Sequence, residues 1–306
     1  MWKFTADGSG GGSWSKENKV SSVALSRNIR TTFGAWTQSK DVGYWLSGSA
    51  SWRTDTSIVV AALGDDSGKV ITMPGITEFK MTTGELTNSS SAGVGPFGTL
   101  VGGAAQHVPF GAGPEALLIF MGGKYAPFYE GSEDQIWADF TNLTVYDTRE
   151  KKWYWQQTTG ARPTPRDKFC VVGVRGNNGT YEIFIYGGRP FSTMRAVGEI
   201  YVLSLPGFIF FQASPESPNG ANRDKPSCVL AGKRQMITVE GNDGSLGFPN
   251  SLLDPDPWSN GLGVFDLARL AWSNRYDAKA EDYESPVMVR EWYAQGSLAS
   301  VVWSSN

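Results

Sequence analysis

A single histidine, two cysteines, three arginines at recurring positions and a cluster of loop acids are the residues whose types could do chemistry. His107 stands alone, which removes copper-radical oxidation, since that chemistry needs two histidine ligands beside tyrosines and imidazole is the usual transition-metal ligand. Nor does His107 join an evident serine and aspartate motif, so it reads as structural, and neither a metal nor a cofactor is expected. Glu130, Glu133, Asp134 and Asp139 lie close in sequence, and paired acids about 5 to 10 Å apart suffice for glycoside hydrolysis. Solvated loop acids are the commoner arrangement. In "DPDP", Asp254 and Asp256 are separated by prolines that interrupt the alternation a calcium loop requires.

The elements that must position these residues follow from composition and periodicity. With 306 residues, 40% of them hydrophobic, 37 glycines, 16 Phe, 12 Trp and 11 Tyr, and 19% charged residues, the chain calls for many short strands joined by tight turns. A net charge of -3 and the lack of a Lys/Arg-rich block argue against a nucleic-acid or anionic-membrane surface. No stretch approaches the roughly 18 apolar residues of a membrane span, and the N-terminus has no signal-peptide pattern. Three Asn-X-Ser/Thr triplets, at Asn88, Asn142 and Asn178, nevertheless point to a secreted origin. A missing N-terminal segment is therefore expected.

Near the start, "DGSGGGSW" is glycine-dense but lacks the preceding strand and the Gly-Lys-Ser/Thr junction of a phosphate loop. The rest of the chain explains it through three repeating anchors. Apolar runs end in a glycine pair, as in "LLIFMGG" and "EIFIYGG", with weaker copies "GYWLSGS" and "QMITVEG". Each run is followed by two large residues seven apart: Phe79 and Leu86, Tyr146 and Trp153, Leu203 and Phe210, Phe265 and Trp272. Such a pair fits one face of a hairpin across a short turn, and Gly84, Pro206 and Gly207 oppose a helix there. Preceding each run is a strand often entered by an arginine, "RTTFGAW", "RDKFCVV" and "RDKPSCVL", with "GGAAQHVPF" in the remaining unit.

Strand, Gly-Gly strand, loop, strand, turn, strand is a four-stranded antiparallel blade, and its repetition predicts an all-β propeller of kelch-type blades. Full blades are expected at about 20–86, 100–155, 166–211 and 223–272, with 1–15 as the outer hairpin of a partial blade. "SPVMVREWYAQG" predicts a short helix, with Ser285 as N-cap, Pro286 in the first turn and Gly296 as stop. Val289, Trp292 and Tyr293 would pack it on the ring. The tail Leu298 to Trp303 is a candidate closing strand for residues 1–15, protecting an open edge. Closure by a missing N-terminal segment is the alternative.

The segment 142–211, with "NLTVYDTREKKWYW", "RPTPRDKFCVVGV" and "GEIYVLSLPGFIFF", resembles the kelch-repeat proteins of filamentous fungi, within the galactose-oxidase-like propeller superfamily but without its copper ligands. The resemblance covers nearly the whole chain and is most specific over 142–293. It implies an extracellular, six-bladed propeller with a signal peptide and further blade strands ahead of what is present here. A membrane-spanning segment often follows in such proteins.

In such a blade the loops 49–72, 124–140, 189–198 and 242–262 share one face, where binding usually resides. Its candidate ligand-binding residues are Tyr125, Phe128, Tyr129, Trp137, Phe191 and Trp258, aromatics of the kind that dominate hot spots and stack on sugars, or that simply cover the blade tops. Arg30, Arg166 and Arg223 are expected at the channel mouth, either as an anion-binding cluster or as ties to neighbouring carbonyls or to Asp167 and Asp224. Cys170 and Cys228 occupy matching places in successive inner strands, and strands splayed beyond the ~7 Å that a disulfide tolerates leave two buried thiols as the expectation. The function expected is a non-catalytic module that binds a protein or cell-wall glycan outside the cell. The alternative is a carbohydrate-active enzyme using loop carboxylates.

Overall fold

The computed structural model describes residues 2–9, 11–16, 28–58, 70–109, 116–128, 133–214, 221–239, 241–244, 256, 258 and 261–304. Four antiparallel sheets form four blades in a propeller arrangement. The strands, from axis to rim, are Ala35–Gln38, Val42–Leu46, Ile76–Lys80 and Leu86–Ser89 in the first blade. Ala104–Val108, Leu117–Met121, Asn142–Asp147 and Lys152–Gln157 form the second, and Cys170–Arg175, Tyr181–Tyr186, Ile200–Leu205 and Ile209–Ser214 the third. The fourth holds Ser227–Ala231, Gln235–Val239, Leu262–Asp266 and Ala271–Ser273. All four seven-apart pairs face each other across the outer hairpin of their blade. A separate hairpin pairs Trp2–Ala6 with Gly12–Lys16, setting Phe4 opposite Trp14 with ring centroids 5.1 Å apart.

Successive side chains of a strand leave opposite faces of the sheet, so a blade flanked on both sides serves two neighbours. Leu118 and Phe120 join Leu46 and Ile76 of the first blade, while Ile119 and Met121 join Ile183 and Leu203 of the third. On the far side of the third blade, Phe184, Tyr186 and Val202 pack with Met236 and Phe265 of the fourth. Strands covered on both faces need apolar residues at nearly every position. "YEIFIY" and "IYVLSL" supply that, and every residue of both is buried.

Backbone hydrogen bonds fasten the blades at the axis. Phe33, Gly102, Lys168 and Lys225 take equivalent places just before the four inner strands, all with left-handed φ of 56°, 71°, 57° and 59°. Gly102 N–H donates to Phe33 O (2.8 Å), Lys168 N–H to Gly102 O (2.7 Å) and Lys225 N–H to Lys168 O (2.9 Å). The glycine pairs make a second set: Gly123 N–H donates to Arg166 O and Gly188 N–H to Arg223 O, each at 2.8 Å and each into the next blade. Both glycines have positive φ, and a Cβ would lie 2.4 Å from Gly103 N or 2.6 Å from Asp167 O. The pair recurs because two backbones meet there and leave no space for a side chain.

Three expectations are corrected. Cys170 and Cys228 form a disulfide with Cα atoms 5.6 Å apart, because inner strands converge at the axis instead of splaying. The helix runs Val287–Ala294 with Pro286 as its N-cap and no side-chain cap. Ser285 instead donates to Glu182 Oε2 at 3.2 Å. The tail forms a 3-10 turn, Ser297–Ser300, and then lies along the second and third blades, where Val302 O accepts from Gln156 Nε2 and Trp303 meets Phe208 edge-on. It packs there because Gln156 offers both an amide donor and an acceptor, the latter taking Ser304 N–H.

Glu182, fully buried, anchors the C-terminal helix beneath the third blade. Ser204 donates to Oε1 at 3.0 Å, and Ser204 in turn lies 3.1 Å from the Tyr293 hydroxyl, which accepts from Gly207 N–H. Burial raises the carboxyl's pKa, opposed only in part by the hydroxyls of Thr180, Ser204 and Ser285. A carboxyl protonated more readily folded than unfolded stabilises the fold at acidic pH, and that contribution is lost as pH rises through the raised value. Glu182→Gln keeps an acceptor without the charge. Its melting temperature should rise relative to wild type as pH increases from about 4 to 7, whereas a pH-independent difference would contradict the assignment. Gly188→Ala should cost about 2 kcal/mol or more in urea unfolding, from forced left-handed geometry and the lost close approach. Thiol titration of the denatured, unreduced protein should find no free cysteine.

Candidate functional site

The loops that follow the Gly-Gly strands and the entries to the inner strands emerge on one face. Two-residue ladders pin them there: Ser49–Ala50 with Ile71–Thr72, Lys124–Tyr125 with Ile136–Trp137, and Arg166–Asp167 with Arg189–Pro190. At the centre of this face the four left-handed residues surround the mouth of a basin of about 400 Å³, walled by the inner strands of all four blades.

The recurring arginines do not form an anion-binding cluster. Arg166 is fully buried: it donates to Gly187 O, Thr164 O and the Thr164 hydroxyl, pairs with Glu199 at 2.6 Å and lies over the Tyr201 ring. Arg223 is similarly buried, donates to Asn222 O, sits 3.8 Å from Asp256 and covers the Trp258 ring at 4.9 Å. These two tie loops to carbonyls. Arg30 alone is exposed, with its Nε 3.5 Å from Asp55. The Ser57 hydroxyl and the Arg30 backbone N–H hold Asp55 well below the usual carboxylate range.

Asp167 and Asp224 pair instead with residues that sequence reasoning missed. Arg189 forks onto Asp167 through two contacts of 3.2 Å and reaches Asp224 at 3.6 Å. Lys124 lies 3.7 Å from Asp167 and Lys225 3.5 Å from Asp224. The result is a belt of alternating charge from the second to the fourth blade. Its signal was present in "GGK" and "GGR", a base directly after each strong glycine pair. Lys168, also at this mouth, packs over the Phe33 ring at 4.9 Å, and burial lowers its pKa.

The predicted aromatics divide by exposure. Trp137 and Phe191 meet with centroids 5.3 Å apart, bridging loops of the second and third blades, and Lys124 Nζ sits 5.0 Å over the indole. Phe191 is 60% and Phe128 56% exposed, and Trp52 and Met194 on the same face are also exposed. By contrast Trp258 is buried, stacked on Trp272 at 5.3 Å, so it belongs to the core between the third and fourth blades. Tyr125 is half-buried in the core between the first two blades, and burial raises its pKa. Tyr129, Glu130 and Asp254 lie outside the described residues.

Among the acids, Glu133 and Asp134 are exposed in a turn, and Asp139 accepts from Thr141 N–H. Asp256 accepts from Trp258 N–H. His107 is half-buried on the second inner strand, its backbone N–H donating to Thr37 Oγ1, and burial lowers its ring pKa. Asn88, Asn142 and Asn178 are all exposed. No described helix is long and apolar enough to cross a membrane.

No protein-family profile matches the chain. A kelch repeat-containing protein of Arthroderma benhamiae is 25% identical over 153 residues, 48% of this chain. The chain matches about a fifth (22%) of that relative's length. A solved structure described as "Structure of YjhT" superposes with a TM-score of 0.49 at 11% identity, over 83% of this chain and 68% of its own. Four antiparallel sheets, two of them with a Gly-Gly strand, and the seven-spaced hairpin pairs make the fold a four-bladed β-propeller, similar over about half of the chain to a fungal kelch repeat-containing protein.

Proposed function

We propose that the chain is a non-catalytic interaction module that engages a protein partner through its loop face, outside the cell. The observation that carries this reading is the apolar surface there: half-buried Trp137 meets Phe191 at a tilt, and Phe191, Phe128, Trp52 and Met194 are exposed on the loops. Large apolar side chains grouped on a rigid scaffold mark interaction surfaces, and aromatics anchor them at low conformational cost. Kelch propellers commonly bind proteins, which agrees with the fungal relative being a kelch-repeat protein. The extracellular setting is supported by the Cys170–Cys228 disulfide, a bond that persists in oxidising compartments.

Site-specific photo-crosslinking tests the reading. A photoreactive amino acid at position 191 should give one dominant adduct with protein from the native host, competed by unlabelled wild type. The Trp137→Ser/Phe191→Ser protein should compete at least about thirtyfold less well, the loss expected for truncating two hot-spot aromatics. Equal labelling from position 287, exposed on the helix beneath the opposite face, would contradict the assignment, as would equal competition by the double variant.

A further inference from the structure

The mouth of the basin combines an excess of positive charge with open apolar walls. Asp167 and Asp224 lie beneath the surface, their side chains 1% and 7% exposed, while Lys124, Lys168, Arg189 and Lys225 surround them. Four cations thus face two carboxylates, and the carboxylates are the buried partners. Lys225 is 47% exposed at its side chain, and Lys168 has no ion pair among the described residues. Below this lip, Trp36 and Val229 stand 61% and 55% exposed on the inner strands of the first and fourth blades, with Val171 and Leu230 completing an apolar wall. Water against that wall and like charges crowded at the lip are both unfavourable. An occupant that is apolar in the middle and anionic at its edges relieves both.

We propose that the basin receives a protein segment in which one large apolar side chain is flanked by carboxylates. The apolar side chain enters beside Trp36 and Val229, and the flanking acids meet Lys168 and Lys225 on the lip. This rests on the loop-face reading above and names the chemistry of the partner segment. A segment, as opposed to a small free carboxylate, follows from continuity of the surface: Lys124 belongs both to the lip, 3.7 Å from Asp167, and to the aromatic rim, 5.0 Å over Trp137. The complementary surface therefore extends well beyond a pit of about 400 Å³.

Titration calorimetry with an end-capped peptide carrying a central leucine between pairs of glutamates tests the proposal. Wild type should bind it, less tightly as salt rises. Lys168→Gln/Lys225→Gln should weaken binding about tenfold or more and flatten the salt dependence, and Lys225→Gln alone, at an exposed position, should show part of the loss if the double variant is unstable. Trp36→Ala should weaken binding, as should replacing the peptide's leucine by glycine. Lysines in place of the glutamates should abolish it. No binding by wild type, or equal binding by the lysine variants, would overturn the basin site, and so would competition by oligogalacturonate at equal or greater affinity. Peptide binding lost in Phe191→Ser but retained in the lysine variants would leave the loop-face reading standing and sink this one. Failure of both would be separated from it by the crosslinking result.

Discussion

Everything in this molecule depends on how four sheets are held side by side at their narrow ends. The solution is a backbone relay in which Phe33, Gly102, Lys168 and Lys225 each take a left-handed conformation, and each amide after the first donates to the carbonyl of the blade before. Left-handed geometry costs a non-glycine residue on the order of 1 kcal/mol. Lysine and phenylalanine are tolerated because the relay satisfies amides and carbonyls that the crowded axis would otherwise strand. Since the relay fixes the start of every inner strand, it also fixes the converging geometry that brings Cys170 within bonding distance of Cys228. The same geometry gathers Lys168 and Lys225 at one mouth.

The charged belt is a second layer built on this relay. Asp167 and Asp224 directly precede left-handed lysines, so their side chains are carried into the seam between blades. A buried carboxylate needs a partner, and the base after each glycine pair arrives from the adjoining ladder to provide one. Arg189 serves two blades at once because its planar fork can engage Asp167 with two nitrogens while its Nε remains near Asp224. A lysine there would keep the charge and lose the fork.

Much of the fold was legible in the sequence. The seven-residue spacing encodes a strand, a tight turn and a return strand, all local, and the four pairs Phe79/Leu86, Tyr146/Trp153, Leu203/Phe210 and Phe265/Trp272 sit as that spacing requires. The glycine pairs were legible as landmarks, although their cause, the close approach of the next blade, is a long-range contact. The site was less legible. Burial of Trp258 depends on Trp272 and Arg223 closing over it, and the distance between Cys170 and Cys228 depends on blade convergence. Arg166 and Arg223 recur for a structural reason, whereas the lip is built by lysines that no apolar pattern marks.

The alternation of side chains has a consequence for how the molecule comes apart. Ile119 and Phe120 are neighbours in sequence but belong to different seams, and the three large apolar clusters lie between first and second, second and third, and third and fourth blades. Among the described residues, none of them joins the first blade to the fourth. Such an arrangement behaves as a row of nearest-neighbour couplings, so cooperativity is strongest at the third blade, which is gripped on both faces and by the C-terminal helix. Fraying begins at the row's ends, and protection of amides against exchange should grade from the rim blades inward.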